Sequence, residues 1–177
     1  MARGGEAETP SFVHHRFMHA RYVGGITIRP LGNGDTGTVA DLFARLGALS
    51  REQRFCGAKS RLALAELAAL SRVDADHHVL VAYVDHDPRP AGMARLVRNG
   101  RSAEIAFEVA DEHQRRGIGS VLARELAADA RAAGITELVA TVCGDNAAVV
   151  SLLRRVAGPL RVTWQGGERE FVLGLES

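Results

Sequence analysis

The chain is predicted to fold as an α/β (α+β) domain, and three patterns carry that prediction. Ser102 to Ala110 alternates at the period of a strand, with Ile105, Phe107 and Val109 facing one way and Glu104, Ala106 and Glu108 the other. Gln114-Arg115-Arg116-Gly117-Ile118-Gly119 follows. A stripe at helical spacing then begins, Ile118, Leu122, Leu126, Ala130 and Ala133, widened by Val121 and stopped at Gly134. Val79 to Val84 is a nearly continuous apolar run, as expected of a central strand covered on both faces.

Residues 1–25 show no period and carry His14, His15 and His19. With no Cys or Asp at ligand spacing, these histidines read as part of a mobile tail or docking arm, not a metal site. A domain over residues 26–177 opens with the strand Ile26 to Leu31, ended by Pro30 and the turn Gly32-Asn33-Gly34-Asp35. Val39, Leu42, Phe43 and Leu46 form a helical stripe that stops at Gly47, and Leu62, Leu64, Leu67 and Leu70 form the next. After the turn Asp85 to Pro90 comes a strand over Ala91 to Val97. Asn99-Gly100 is a hairpin turn leading into the Glu104 strand. Leu138 to Val142 is a further strand. Asp145-Asn146 caps a helix with Val149, Leu152, Leu153 and Val156 on one face. Leu160 to Gln165, Gly166-Gly167 and Arg169 to Leu175 close the chain as a hairpin.

A length of 177 residues suits one domain with a full-sized core. A net charge of +1 with 24% charged residues gives no field to draw in nucleic acid or an anionic membrane. No apolar run nears the roughly 18 residues of a spanning helix, and no signal-peptide core is present, so a cytoplasmic protein is expected. Cys56 and Cys143 fall in no metal spacing. Cys143 sits in an apolar pattern and is expected to be a small buried hydrophobe, with no disulfide.

Two glycines between a strand and a helix leave backbone N–H groups bare where the helix dipole favours negative charge, a seat for phosphate or pyrophosphate. The dinucleotide fingerprint needs a third glycine and an acidic residue about twenty positions on, and a Walker loop needs Gly-Lys-Ser/Thr; the chain has neither. The segment Gln114 to Gly119 resembles the acyl-CoA signature Gln/Arg-x-x-Gly-x-Gly/Ala of the GNAT superfamily of N-acetyltransferases. Ala103-Glu104-Ile105-Ala106-Phe107 resembles the central strand of its protein-acetylating members. Leu49-Ser50-Arg51-Glu52-Gln53-Arg54-Phe55 is similar to the Leu-Ser-x-x-Ser-x-Tyr/Arg-Phe segment of bacterial Pat-type protein lysine acetyltransferases. The resemblance runs from about Ile26 to Leu175 and implies a mixed, strongly twisted sheet with helices on both faces. Its order, β-α-α-β-β-β-α-β-α-β-β, is the one the patterns yield independently.

The resemblance implies acetyl-CoA as cosubstrate and a primary amine as acceptor. Gln114 opens the signature, and the amides of Arg115, Arg116, Gly117, Ile118, Gly119 and Ser120 would hold the pyrophosphate. Arg115, Arg116 and Arg124 would neutralise it, or serve only as solvated arginines. Backbone groups of Phe107, Glu108, Val109 and Ala110 would pair with the pantetheine arm, the N–H of Glu108 polarising the thioester carbonyl. Glu104 falls at the position of the general base, with Glu108 as second candidate; the alternative is that both edge a solvated sheet face. A working base should be partly buried with its pKa raised. Asn146 either caps its helix or reaches pantetheine. The Tyr that protonates the departing thiolate in many members falls at Leu153, leaving the general acid unassigned.

A protein lysine is the first acceptor reading, a small amine the second, and a non-catalytic acyl-CoA-binding module the third. The N-terminal tail is too short for the cyclic-nucleotide-binding or synthetase-like domain fused to many Pat-type proteins. The tail and last hairpin offer surfaces for a homodimer.

Overall fold

A computed structural model describes residues 19–144, 146–156, 158–165 and 168–175. The chain runs β1 (Arg21–Val23), β2 (Ile26–Pro30), α1 (Thr36–Ala44), α2 (Ala48–Phe55), α3 (Leu64–Leu70), β3 (His77–Val84), β4 (Gly92–Asn99) and β5 (Ser102–Val109). A 3-10 turn (Asp111–His113) leads to α4 (Ile118–Ala132), β6 (Glu137–Val142), α5 (Ala147–Val156), β7 (Leu160–Gln165) and β8 (Glu168–Gly174). The eight strands form one sheet in the order β1-β2-β3-β4-β5-β6-β8-β7. Only β5 and β6 run parallel, as a strand–helix–strand crossover requires.

Alternation along the strands divides the core in two. Leu80, Ala82, Ala94, Leu96, Ala103 and Ile105 face Ile118, Leu122 and Leu126 of α4 and Leu153 of α5. Val79, Val81 and Met93 face Val39 and Leu42 of α1, with Leu67 and Leu70 of α3 packed alongside. β3 is thus buried on both sides, as its apolar run predicts. Asn99 pairs with Ser102 across the tight turn at Gly100, whose φ of +63° suits glycine.

Several expectations shift. The Leu64 stripe is out of phase: Leu62, Leu67 and Leu70 pack on the core, while Leu64 is 85% exposed and opens α3. Residues 48–55, which fall between the two stripes expected as early helices, form a helix of their own. Nothing in α2 is fully buried, and Leu49 points to solvent, so no core stripe marks it. The ordered sheet begins inside the segment read as a tail. β1 pairs with β2, and Arg21 reaches α4, donating to Asp129 at 2.6 Å and Glu125 at 3.1 Å. Asp129 also meets buried His78 at 2.8 Å, which explains a carboxylate on the apolar face of α4. His14, His15, Asp145 and the Gly166-Gly167 turn lie outside the described residues.

Cys143 departs furthest from expectation. It lies just past β6, half-buried, and is joined by a disulfide to Cys56 at the end of α2, with a Cα–Cα distance of 5.4 Å. The pairing depends on α2 lying over the sheet, and nothing local to either cysteine signals it. Among the described residues no helix is long and apolar enough to cross a membrane.

Two contacts set the frame for the sheet's C-terminal edge. Arg45, just past α1, donates to Pro90 O at 2.8 Å and Asp87 at 3.0 Å and pairs with Glu112, pinning the 3-10 turn to the loop before β4. Gly92 gives the first turns of α4 their seat. A Cβ there would lie 3.1 Å from Glu108 O, 3.1 Å from Leu122 Cδ1 and 3.2 Å from Ile118 Cγ2. Gly92→Ala is therefore expected to cost about 1–3 kcal/mol by overpacking, read as a lowered urea midpoint with an unchanged slope.

Hydrogen bonds from the Arg89 side chain and backbone, aided by Arg45, hold the Asp87 carboxyl below the usual carboxylate range. Stability from a depressed carboxylate is complete above its unfolded pKa of about 3.9 and is lost as pH falls through the folded value. The difference in Tm between wild type and Asp87→Asn should stay constant from about pH 8 to 5 and narrow below about pH 4.

Candidate active site

β5 and β6 pair only from Ser102↔Glu137 to Glu104↔Val139. Beyond that point β5 stays paired with β4 as far as Val109↔Gly92, and β6 with β8 as far as Val142↔Arg169, but the two strands no longer pair with each other. A cleft of about 790 Å³ lies along this parting, lined by Glu104, Phe107, Glu108 and Val109 from β5 and Thr141 and Val142 from β6.

The turn before α4 closes one end. Arg115 has φ +59° and Gly117, the N-cap of α4, has φ +86°. No side chain caps the helix, so the amides of its first turn carry no side-chain partner. Gly117, Ile118, Gly119 and Ser120 all line the cleft, joined by Gln114 and Arg115. Left-handed residues followed by a helix N-terminus form an anion-binding concavity.

The side chain of Gln114 does different work from its backbone. Its amide donates to Val109 O at 3.1 Å and to Ser50 Oγ at 3.1 Å, tying the turn to the end of β5 and to α2. Arg116 turns from the cleft to His113, at 3.0 Å from its Nδ1. Arg124 is exposed and outside the cleft. Ala110 is not brought to the cleft either: it is fully buried, and its N–H is spent on Ala91 O at 2.9 Å.

On the opposite face of β5, α2 overlies the carboxylates. Glu108 is ion-paired with Arg54, both largely shielded from water. Arg95, on β4 opposite Ala106, lies between the positions paired with Glu104 and Glu108. Burial pulls the Arg95 guanidinium below its ordinary value, with repulsion from Arg54 adding to it and Glu108 and Glu104 opposing. Glu104 itself is exposed, not partly buried as expected of a base, and lines the cleft at the point where the strands part. Among the described residues no side chain is hydrogen-bonded to it.

Asn146 caps its helix and also reaches α2. Its Oδ1 accepts from Val149 N–H at 3.1 Å, capping α5, while Nδ2 donates to Gln53 Oε1 at 3.2 Å across the cleft. Leu153, at the expected acid position, is packed in the core, and Leu152 lines the cleft instead. The side chains that sequence reasoning missed, Ser50, Gln53 and Arg54, all come from α2. Their one signal is that they lie within the Leu49 to Phe55 segment.

The description "Acetyltransferase (GNAT) family" fits residues 48–158 by family-model match. The acetyltransferase Pat of Mycolicibacterium smegmatis is 38% identical over 94 residues, covering 51% of this chain and 28% of that protein, so the chain spans little more than a quarter of this relative. The GNAT domain of S. lividans PAT superposes with a TM-score of 0.81 at 22% identity, covering 92% of this chain and 99% of the other. An acetyltransferase structure from Salmonella typhimurium with its cofactor acetyl-CoA superposes at 0.64 and 21% identity, covering 86% and 95%. Parted strands, an uncapped helix start behind a left-handed turn, and a match over most of the domain converge: the chain belongs to the GNAT family of acetyltransferases, which use acetyl-CoA as cosubstrate.

Proposed function

We propose that the protein moves the acetyl group of acetyl-CoA to the side-chain amine of a protein lysine, with Glu104 as general base. The observation that carries this reading is the position of Glu104, an exposed carboxylate at the apex of the parted strands. Glu108, the other candidate, is engaged by Arg54 and better suited to positioning α2 than to taking a proton.

The donor's pyrophosphate would rest on the amides of Gly117 to Ser120, where a helix dipole contributes up to about 2 kcal/mol for a well-placed anion. Pantetheine would lie between β5 and β6 and pair with the backbone edge of Phe107 to Val109. The N–H of Glu108 would polarise the thioester carbonyl; a single oxyanion donor is worth roughly 3 kcal/mol in comparable chemistry.

A lysine amine of pKa about 10.4 must lose a proton before attack, a cost of about 4.6 kcal/mol at pH 7. Glu104 would take that proton first, and the neutral nitrogen then adds to the carbonyl carbon. The tetrahedral intermediate collapses, breaking the C–S bond, and the second proton on nitrogen passes through solvent to the departing thiolate, leaving a neutral amide and CoA thiol. Glu104 gains its strength as a base only when donor and acceptor exclude water over it. Its openness to solvent favours a lysine on a protein surface, which can be laid across the cleft, over a small amine that needs enclosure. The pairing of a second copy would best use the sheet edge at β7, where Val162 and Trp164 are exposed.

CoA release measured with a panel of lysine peptides and small amines tests the reaction. Glu104→Gln should lower turnover at least tenfold while acetyl-CoA affinity by calorimetry stays within about twofold. Wild-type turnover in that variant would remove Glu104 from the mechanism, and acetyl-CoA binding with no release across the panel would favour a non-catalytic acyl-CoA-binding module. Gly117→Ala forces alanine into φ +86° at a cost of about 1–2 kcal/mol. It should weaken acetyl-CoA binding by roughly tenfold, with turnover at saturation little changed.

A further inference from the structure

Cys56 and Cys143 are separated by 87 positions in sequence, and their disulfide bridges the end of α2 and the end of β6. Cys56 ends α2 in a left-handed conformation and is exposed. Cys143 follows β6 and precedes Asn146, the cap of α5. The bond therefore ties the helix over β5 to the end of β6, two strands whose own pairing has stopped at Glu104↔Val139. The Asn146–Gln53 hydrogen bond crosses the same gap beside it. On the α2 side, the span lies over the face of β5 that carries Glu104 and Glu108. The pyrophosphate turn belongs to α4, on the other side of the sheet.

We propose that Cys56 and Cys143 are a reversible oxidation site for low-molecular-weight disulfides, and that the oxidised form fixes α2 beside the open end of the β5–β6 gap as one wall of the groove for a bulky amine acceptor, a wall that reduction loosens. The exposed Cys56 thiolate attacks one sulfur of R–S–S–R, forming a mixed disulfide and expelling one thiolate. The Cys143 thiolate then attacks Cys56 sulfur and expels the second. The protein loses two electrons and two thiol protons; the small disulfide becomes two thiols. Excess thiol runs the same steps backwards. Reduction leaves α2 held over β5 by noncovalent contacts alone, among them Arg54–Glu108 and Ser50–Asp111. The consequence for acceptors rests on the acetyltransfer reading above; the oxidation itself does not.

The full chain equilibrated across a series of reduced and oxidised glutathione, then alkylated and weighed intact, reads the thiols directly. The oxidised form should take up no alkyl group on either cysteine and the reduced form two. Acetylated lysine peptide, measured by mass so that free thiol does not interfere, should show KM raised at least fivefold on reduction, with acetyl-CoA affinity within twofold and full recovery on reoxidation. Cys143→Ser, and Cys143→Ala as a second variant, should keep the kinetics of the reduced wild type under both conditions. Thiols that stay alkylatable throughout would overturn the proposal, as would equal peptide kinetics in both states. Zinc retained at one per chain and shielding both thiols would also overturn it, since Glu168 lies close enough to complete a ligand group. Absence of acetylation in both states would instead overturn the acetyltransfer reading, with the alkylation result deciding the oxidation site on its own.

Discussion

The parting of β5 from β6 is the constraint on which the site depends. Each strand remains fully paired on its outer side, β5 to β4 and β6 to β8. Neither can therefore swing out to satisfy the backbone groups on its inner edge. Buried N–H and C=O groups require partners, so the gap is a place where an extended ligand can complete a ladder. Part of the accounting is met internally: the carbonyl of Val109 accepts from the Gln114 side chain. That contact also fixes the turn whose amides open α4.

The two faces of the sheet divide the labour. On one, Ile118 and Leu122 of α4 settle against the hole left by Gly92, placing an uncapped helix start at the end of the gap. On the other, α2 lays Arg54 against Glu108 and brings Gln53 to Asn146. Arg54 and Arg95 balance the carboxylates of β5, so the surface around Glu104 is mixed in charge and not simply acidic. A glutamate with no bonded partner among the described residues stands beside one already paired, which on the proposed mechanism separates proton acceptor from anchor.

Anchoring of the far elements follows the same economy of burying charge only in company. Asp129 would be anomalous on the apolar face of α4, but Arg21 and His78 converge on it. β1 is held to the body of the domain through that group as well as by its pairing with β2. Arg45 does the equivalent at the other end, gathering Asp87, Glu112 and the Pro90 carbonyl around the 3-10 turn. The loops that frame the turn before α4 are thus fixed by ionic contacts between distant segments.

What the sequence determined alone was whatever local periodicity and backbone permission encode. The alternation of Ser102 to Ala110, the doubly covered run at Val79 to Val84, the Asn99-Gly100 hairpin and the two-glycine turn before α4 are properties of short windows, and each was legible there. The stripe of α4 was legible for the same reason, because burial of one helix face repeats every three to four residues. Tertiary structure decided the rest. α2 has no buried stripe to read, and Leu64 carries a hydrophobic side chain into solvent. The Arg54–Glu108 pair, the Gln53–Asn146 bridge and the Cys56–Cys143 bond join residues 54, 93 and 87 positions apart. Such contacts arise only when two surfaces are brought together by the packing of the whole sheet, and no window of sequence contains both partners.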